Sequence, residues 1–268
     1  MYSIITRALK DKKSSLIIFC AAGILLLVLY IALFPSIQEQ SSQMAKMFDS
    51  YPKAMLKILN IEDLNFSTIE KFLAIEQYSF TWPLLIIFLA ISFSGSLVRD
   101  IERGTIDFVL TRPISRMRLY VGRVLASLSA VLMFSVASIL STIPIAAIAG
   151  IDFIAGNHFK MVIVGFSFGA AIVGLASLAG ALYSERGKTY LVTGGVLILM
   201  YVFNIIAKLK DGLSGLQYFS LFHYLDAGSV LARGIMSWSA VFALLYFAVI
   251  TIIAGALIFQ KRDIYAAA

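Results

Sequence analysis

The feature of this sequence that most constrains its fold is a series of long apolar runs that carry almost no charge. The first run, residues 15–34, reads SLIIFCAAGILLLVLYIALF. An α-helix of about twenty residues spans the roughly 30 Å of hydrocarbon in a bilayer. Further runs of this kind predict a bundle of six transmembrane helices, at about 15–34, 78–97, 121–149, 161–182, 190–206 and 238–259.

Composition supports a membrane protein over a soluble one. Of the 268 residues 60% are hydrophobic and only 14% are charged, which is more apolar surface than a single soluble core buries. The first run is longer than the core of a signal peptide and has no A-x-A-like cleavage site after it, so we expect it to stay in the membrane. The sequence therefore predicts one all-α integral membrane domain over residues 1–268.

The positive charges predict the orientation of this domain. The net charge is +7, but Lys and Arg lie in the gaps between apolar runs rather than on one polar face, which excludes nucleic acid as a partner. Fourteen of the 22 cations flank one side of the bundle, so the positive-inside rule places both termini and residues 99–123 in the cytoplasm. Trp82 and Trp238 are expected at the outer interface, where their rings suit the headgroup zone.

The segments outside the spans are short and have helical patterns. Tyr2, Ile5 and Leu9 share one face of an N-terminal helix with basic residues around it. This helix either lies on the inner membrane surface or is a simple basic flank that fixes topology. The outer loops, 36–77 and 207–237, are predicted to form helices at the outer interface, and the first of them is long enough to receive an accessory protein.

Little in the sequence predicts catalysis. No span has a central ionisable side chain, and His158 and His223 are expected in outer loops without metal-ligand spacing. The lone Cys20 excludes a disulfide framework. The segment LYSERGKT, 182–189, ends like a phosphate-binding loop but lacks its first glycine and leaves a membrane helix. We therefore predict no catalytic residue, no metal and no cofactor in this chain.

Two sets of small residues lie on predicted helix faces. Ser135, Ser138 and Thr142 line one face of the third span and are candidates for a substrate path. The alternative is that these hydroxyls bond to backbone carbonyls of their own helix. Gly165 and Gly169 form a GxxxG motif, which predicts close helix packing either within the chain or between subunits.

The most charged segment, RDIERGTIDFVLTRPISRMRLYVGR, covers residues 99–123. Its six arginines would cost about 15–20 kcal/mol at the bilayer centre, so the segment lies in water or among headgroups. Ile101, Phe108 and Val109 predict an amphipathic helix, which Pro113 interrupts. Arginines alone would suit anionic lipid, whereas the interleaved Glu102 and Asp107 favour docking to a protein surface.

This segment resembles the cytoplasmic motif of ABC-2-type permeases. In that motif an acidic residue precedes Gly-Thr, and a Leu-x-x-Pro-Ile-Ser-Arg-like stretch leads to a Gly-Lys or Gly-Arg pair. The similarity continues in the basic N-terminal segment, the six spans, the turn at 185–188, the outer SLFHYLD sequence and the closing FQKRDI. The matching positions are Glu102, Gly104, Thr105, Leu110, Pro113, Ile114, Ser115, Arg116, Gly122 and Arg123.

The resemblance implies a permease subunit of an ABC exporter in the cytoplasmic membrane of a prokaryote. Two such permeases, alike or different, would pair, and a dimer of separate cytoplasmic ATPases would use Mg-ATP. The segment 99–120 would be the coupling helix, and the turn near 185 a second contact. The implied ATPase-docking residues are Glu102, Arg103, Gly104, Thr105, Asp107, Arg112, Pro113, Ser115, Arg116, Glu185 and Arg186.

Two other functions remain open from the sequence. A non-transporting membrane anchor or sensor would use its outer loops to bind a ligand or a membrane partner, with the ATPase driving signalling or extraction. An ion-coupled carrier is disfavoured, because such carriers use carboxylates within the membrane and none is predicted here.

Overall fold

The computed structural model describes residues 2–40, 67–96, 98 and 115–261. Within these residues the chain is helical and forms no β-strand, so the all-α prediction is confirmed. The α-helices are α1 Tyr2–Asp11, α2 Lys13–Glu39, α3 Ile69–Glu76, α4 Trp82–Ser94, α5 Arg116–Leu140, α6 Thr142–Ile148, α7 Ala155–Leu182, α8 Arg186–Leu209 and α9 Trp238–Lys261.

Shorter helical pieces complete two of the connections. A π-helical turn, Gln77–Thr81, joins α3 to α4, so that the two helices form one continuous apolar element. Between α8 and α9 the chain forms two 3₁₀ helices, Asp211–Phe219 and Leu221–Tyr224, and a π-helical turn, Gly228–Ala232. The helical character predicted for residues 207–237 is therefore confirmed.

Six elements are long and apolar enough to cross a membrane, as predicted. They are α2, α3 with α4, α5 with α6, α7, α8 and α9. The third element is interrupted at Ser141, between α5 and α6. Pro144 explains the break, because it has no N–H to donate to the carbonyl of Leu140.

Helix α7 lies at the centre of the bundle and contacts α4, α5, α8 and α9. The glycines of its GxxxG motif make these contacts close. A Cβ built on Gly165 would lie 2.6 Å from the Trp82 ring, and one on Gly169 would overlap Val131 and Ile86. The motif therefore packs within the chain, which was one of the two predicted alternatives.

Five spans begin earlier than the sequence predicted, the second and the fourth by the most, because the apolar windows excluded charged residues that the helices accommodate. The second begins at Ile69 rather than 78, and the fourth begins at Ala155 rather than 161. The interfacial position predicted for Trp82 is therefore wrong: its side chain is fully buried inside the bundle. His158, expected in a loop, is buried in the first turn of α7. Trp238 is 57% exposed at the start of α9.

One end of the bundle, here called the α1 end, is formed by α1 and the helix ends beside it. Ile4 of α1 packs against Gly122 near the start of α5. The Tyr120 hydroxyl of α5 donates to the carbonyl of Ile252 in α9, at 3.1 Å, and lies against Gly255. The starts of α5 and α8 and the ends of α4, α7 and α9 therefore share this end. The predicted N-terminal amphipathic helix is confirmed as α1.

At the opposite end, polar contacts connect the start of α7 to its neighbours. The Glu70 carboxylate accepts a hydrogen bond from the N–H of Ile154 at 2.6 Å. The Asn157 amide donates to the carbonyl of Leu231 at 2.8 Å, and the Lys160 ammonium donates to that of Gly234 at 2.7 Å. These bonds satisfy backbone groups that helix ends leave unpaired.

Candidate functional site

The predicted docking segment lies largely outside the described residues. Ser115 and Arg116 at its C-terminal end are described, as are Glu185 and Arg186 in the second turn. The docking residues that fall outside the described ranges are Glu102, Arg103, Gly104, Thr105, Asp107, Arg112 and Pro113.

Ser115 begins α5 as its N-cap. Its backbone is extended, and its side-chain oxygen accepts a hydrogen bond from the N–H of Arg118 at 3.2 Å. A serine at this position satisfies one of the N–H groups that the first helical turn leaves unpaired. The residue proposed for docking therefore also fixes where the third span starts, directly after the segment 99–114.

The turn from α7 to α8 exposes charge at the same end of the bundle. Glu185 and Lys188 form a salt bridge of 2.8 Å, and both side chains are more than half exposed. Glu185 is the N-cap residue of α8, although its side chain makes no capping bond. Its carbonyl instead accepts a hydrogen bond from the Thr189 hydroxyl at 3.1 Å. The carboxylate thus lies at the surface, paired with Lys188.

The two described parts of the predicted docking surface are connected through helix packing. Leu178, near the end of α7, packs beside Gly255, which also contacts Tyr120 of α5. The Tyr190 hydroxyl in the first turn of α8 lies against Gly95, which is the C-cap of α4. Gly95 precedes the segment 99–114 and Ser115 follows it. The helices on either side of the predicted coupling segment are therefore packed, directly or through α7 and α9, with the turn at Glu185.

Lys12, at the junction of α1 and α2, contacts the end of α4. Its ammonium group donates to the carbonyl of Ser92 and, at 3.2 Å, to the hydroxyl of that residue. It also lies 5.5 Å from the centre of the Phe93 ring, within the range of a cation–π interaction. Since Lys12 joins α1 to α2, these contacts connect the end of α4 to the start of the first span.

The candidate substrate path consists of three fully buried hydroxyl residues. Ser138 accepts a hydrogen bond from the indole N–H of Trp82 at 2.8 Å and donates to the carbonyl of Phe134 at 2.6 Å. It therefore fits the alternative prediction, a hydroxyl that bonds to its own helix.

Ser135 and Thr142, the other two members of the path, have side-chain oxygens without a hydrogen-bond partner. The fully buried Tyr78 hydroxyl faces Thr142 but is also outside hydrogen-bond geometry. Gln77 lies next to Tyr78, and its amide N–H is 3.5 Å from the carbonyl of Gly23. The π-helical turn thus adds two polar side chains to the candidate path that the sequence reasoning missed. Gln77 was the last residue of a predicted loop and Tyr78 the first residue of a predicted span, so neither was assigned to a polar face.

Among the described residues, two cavities of ligand size are lined by none of the three path hydroxyls. The larger, of about 790 Å³, is mainly apolar and lies between α2, α4 and α8, with Phe19, Phe88 and Leu197 in its walls. The second, of about 520 Å³, lies at the opposite end from α1. No group of three His, Cys, Asp or Glu side chains in the described ranges is arranged to hold a metal ion.

Comparison with known protein families adds a match over nearly the whole chain. Residues 8–264 match the family model described as ABC-2 family transporter protein. The matched range includes all six membrane-length helices, the segment 99–123 and the turn at Glu185. No curated protein matches the sequence.

Proposed function

Because the chain belongs to the ABC-2 family of transporter proteins, we propose that this permease exports its cargo and is driven by a separate cytoplasmic ATPase. The ATPase docks at the α1 end, mainly on residues 99–120 and secondarily on the turn at Glu185 and Arg186. Two permeases pair in the membrane, and Mg-ATP binds only to the partner ATPases. The α1 end faces the cytoplasm of a prokaryotic cell.

One observation carries the proposal: the contact between Gly95 and Tyr190. It joins the helix that leads into the segment 99–114 to the helix that starts after Glu185. A partner that binds both the segment 99–114 and the turn at Glu185 would therefore contact one packed unit instead of two independent loops. The mixed charges in the segment support a protein partner, because lipid binding requires cations alone.

The packing also suggests how force passes into the membrane. Closure of the ATPases displaces the docked segment, and α4 and α5 move with it because they flank the segment. Lys12 and Tyr190 transfer this displacement to α2 and α8. Such a movement of packed elements is a rigid-body switch between two arrangements.

Co-purification in mild detergent tests the docking. We expect an ATPase to accompany the wild-type permease and to be lost, by at least about tenfold, from the charge-reversal variant Glu102→Lys, because a charge of the wrong sign at an interface costs more than about 1.4 kcal/mol. The matched control is Asp152→Lys, since Asp152 is exposed at the opposite end. Equal recovery of the ATPase with both variants would contradict the proposal.

Labelling with a membrane-impermeant maleimide tests the orientation. In a background that carries Cys20→Ala, single cysteines replace Ser184 at the α1 end and Asp152 at the opposite end, both of which are exposed. We expect Ser184→Cys to react only in inside-out vesicles and Asp152→Cys only in right-side-out vesicles. The reverse pattern would place the α1 end outside the cell and exclude docking of a cytoplasmic ATPase there.

A further inference from the structure

The second cavity, at the end opposite α1, has the size and lining of a small-molecule site. Its volume of about 520 Å³ lies within the usual range of ligand pockets. It is formed by the helical pieces between α8 and α9 together with the first turn of α9. The polar and aromatic residues that line it are Tyr218, His223, Tyr224, Asp226, Ser229, Ser237 and Ser239.

Three aromatic rings form adjoining walls of this pocket. The planes of Tyr218 and His223 cross at 83°, with 5.3 Å between ring centres, and those of His223 and Tyr224 cross at 68°, with 5.1 Å. The Tyr224 hydroxyl donates to the carbonyl of Tyr218 at 3.1 Å, which fixes the two tyrosines relative to each other. Perpendicular rings present their electron-rich faces in different directions, as in sites that hold organic cations.

The charge of the pocket is negative. Asp226 is exposed and accepts one hydrogen bond, from the N–H of Ser229 at 3.0 Å. None of the lining side chains, all in the described part of the chain, is Lys or Arg. Burial, and then the charge of Lys208 at the end of α8, lower the pKa of His223, while Asp226 opposes this shift. Burial and Lys208 therefore disfavour the charged form of His223, and Asp226 is the acidic side chain of the lining.

The depth of the pocket indicates where its ligand is found. Ser237 and Ser239, which line it, flank Trp238, the exposed first residue of α9. Exposed tryptophans at the ends of spans lie among lipid headgroups. We propose that the pocket binds an organic ammonium ion, supplied either by a zwitterionic lipid headgroup or by a free amine in solution, through the Asp226 carboxylate and the Tyr218 and Tyr224 rings.

Calorimetry with choline tests this site on the full-length permease, without any ATPase, so the result is independent of the docking proposal. The protein is placed in nanodiscs of phosphatidylglycerol, which has no amine. We expect saturable choline binding in the millimolar range or tighter. The neutral isostere 3,3-dimethyl-1-butanol, which has the same shape without the charge, should bind at least about tenfold more weakly, since it loses both the cation–π contacts with the tyrosines and the ion pair with Asp226.

Variants separate charge recognition from loss of the fold. Asp226→Asn keeps an oxygen for the Ser229 N–H and removes the charge, so choline affinity should fall at least about tenfold with an unchanged melting temperature. Asp152→Asn removes an exposed carboxylate at the same end of the bundle but outside the pocket lining. It is the matched control, with affinity within about threefold of wild type. Equal binding of choline and its isostere, unchanged affinity in Asp226→Asn, or no binding of choline would each overturn the proposal.

A second comparison identifies the natural source of the ammonium group. In nanodiscs of phosphatidylcholine a lipid occupant competes with added choline and weakens its apparent affinity, and native mass spectrometry retains this lipid on wild type more than on Asp226→Asn. A free amine as the occupant predicts the same choline affinity in both lipids. Either result supports an ammonium site; retention of phosphatidylcholine by both proteins alike, without choline binding, would contradict it.

Discussion

Helices α7 and α8 follow each other along the chain and are both apolar enough to cross a bilayer, but they are packed very differently. In the most apolar stretch of α7, 72% of the residues are buried, against 22% in α8. Apolar composition therefore does not distinguish a central helix from a peripheral one. In a bilayer the lipid tails are as apolar as the side chains, so close packing has to come from another source.

The glycines of the two helices identify that source. In α7, a Cβ at Gly174 would lie 2.9 Å from the carbonyl oxygen of Ala248 in α9 and would overlap Thr251. In α8, a Cβ at Gly194 or Gly195 would meet nothing within 4 Å. The glycines of α7 are sites of backbone approach, whereas those of α8 face open space. Helix α8 also borders the apolar cavity of about 790 Å³ that lies between α2, α4 and α8.

The largest loss of stability is expected at an aromatic side chain of α4 that packs against α7. Trp82 is fully buried, stacks on Phe134 with 5.7 Å between ring centres and packs against Gly165. Trp82→Ala should lower the free energy of unfolding by about 3–5 kcal/mol, through the cavity and the lost bond to Ser138. Chemical unfolding in mixed micelles measures this. The control is Trp238→Ala at an exposed site, and equal losses for the two variants would contradict a core centred on α7.

A smaller effect is expected from added volume at the helix contacts. Gly174→Val should cost about 1–3 kcal/mol, because the new side chain meets backbone atoms of α9 that cannot move aside. Gly195→Val introduces the same residue into α8 without a clash within the chain. Both variants change helix propensity alike, so the difference between their melting temperatures measures the cost of the clash with α9. Similar losses would mean that both glycines act only through helix propensity.

The sequence predicts the number of membrane-length elements well, because each apolar run is long enough to cross the thickness of a bilayer. It predicts their ends poorly, since charged residues such as Glu70 and Lys160 are bound within helices by backbone groups from other parts of the chain. These partners cannot be read from one sequence. The error in the start of the second span is also what placed Trp82 at the membrane surface when its ring lies in the core.

The candidate site was predictable only in part for a similar reason. The charge pattern of residues 99–123 and the turn at Glu185 are visible as motifs. The contacts that join them, Lys12 with Ser92 and Tyr190 with Gly95, connect residues about 80–95 positions apart. Periodicity shows which face of a helix is apolar but carries no information about which other helix covers it. The docking role of residues 99–114 accordingly stays a prediction.

The open face of α8 predicts a gain in stability. Gly195→Ala removes the entropic cost of a glycine within a helix and should stabilise the isolated subunit by about 0.5–1 kcal/mol. Gly169→Ala in α7 should act in the opposite direction, because its Cβ overlaps Val131 and Ile86. Thermal unfolding of the two variants compares them. A loss of stability for Gly195→Ala in the isolated subunit would show that the α8 face is covered from within the chain.

The smallest effect on stability is expected from a substitution in the turn between α7 and α8. Glu185 pairs with Lys188 at 2.8 Å, but both side chains are largely exposed, and such pairs contribute less than about 0.5 kcal/mol. Glu185→Gln should therefore leave the melting temperature nearly unchanged while weakening recovery of the ATPase, by less than Glu102→Lys does because the turn is the smaller contact. Lys188→Gln breaks the same salt bridge and leaves the carboxylate in place, so it controls for the pair itself. If Glu185→Gln lowered stability as much as Gly174→Val, the turn would belong to the core of α7, and its exposure would no longer mark it as a surface for a partner.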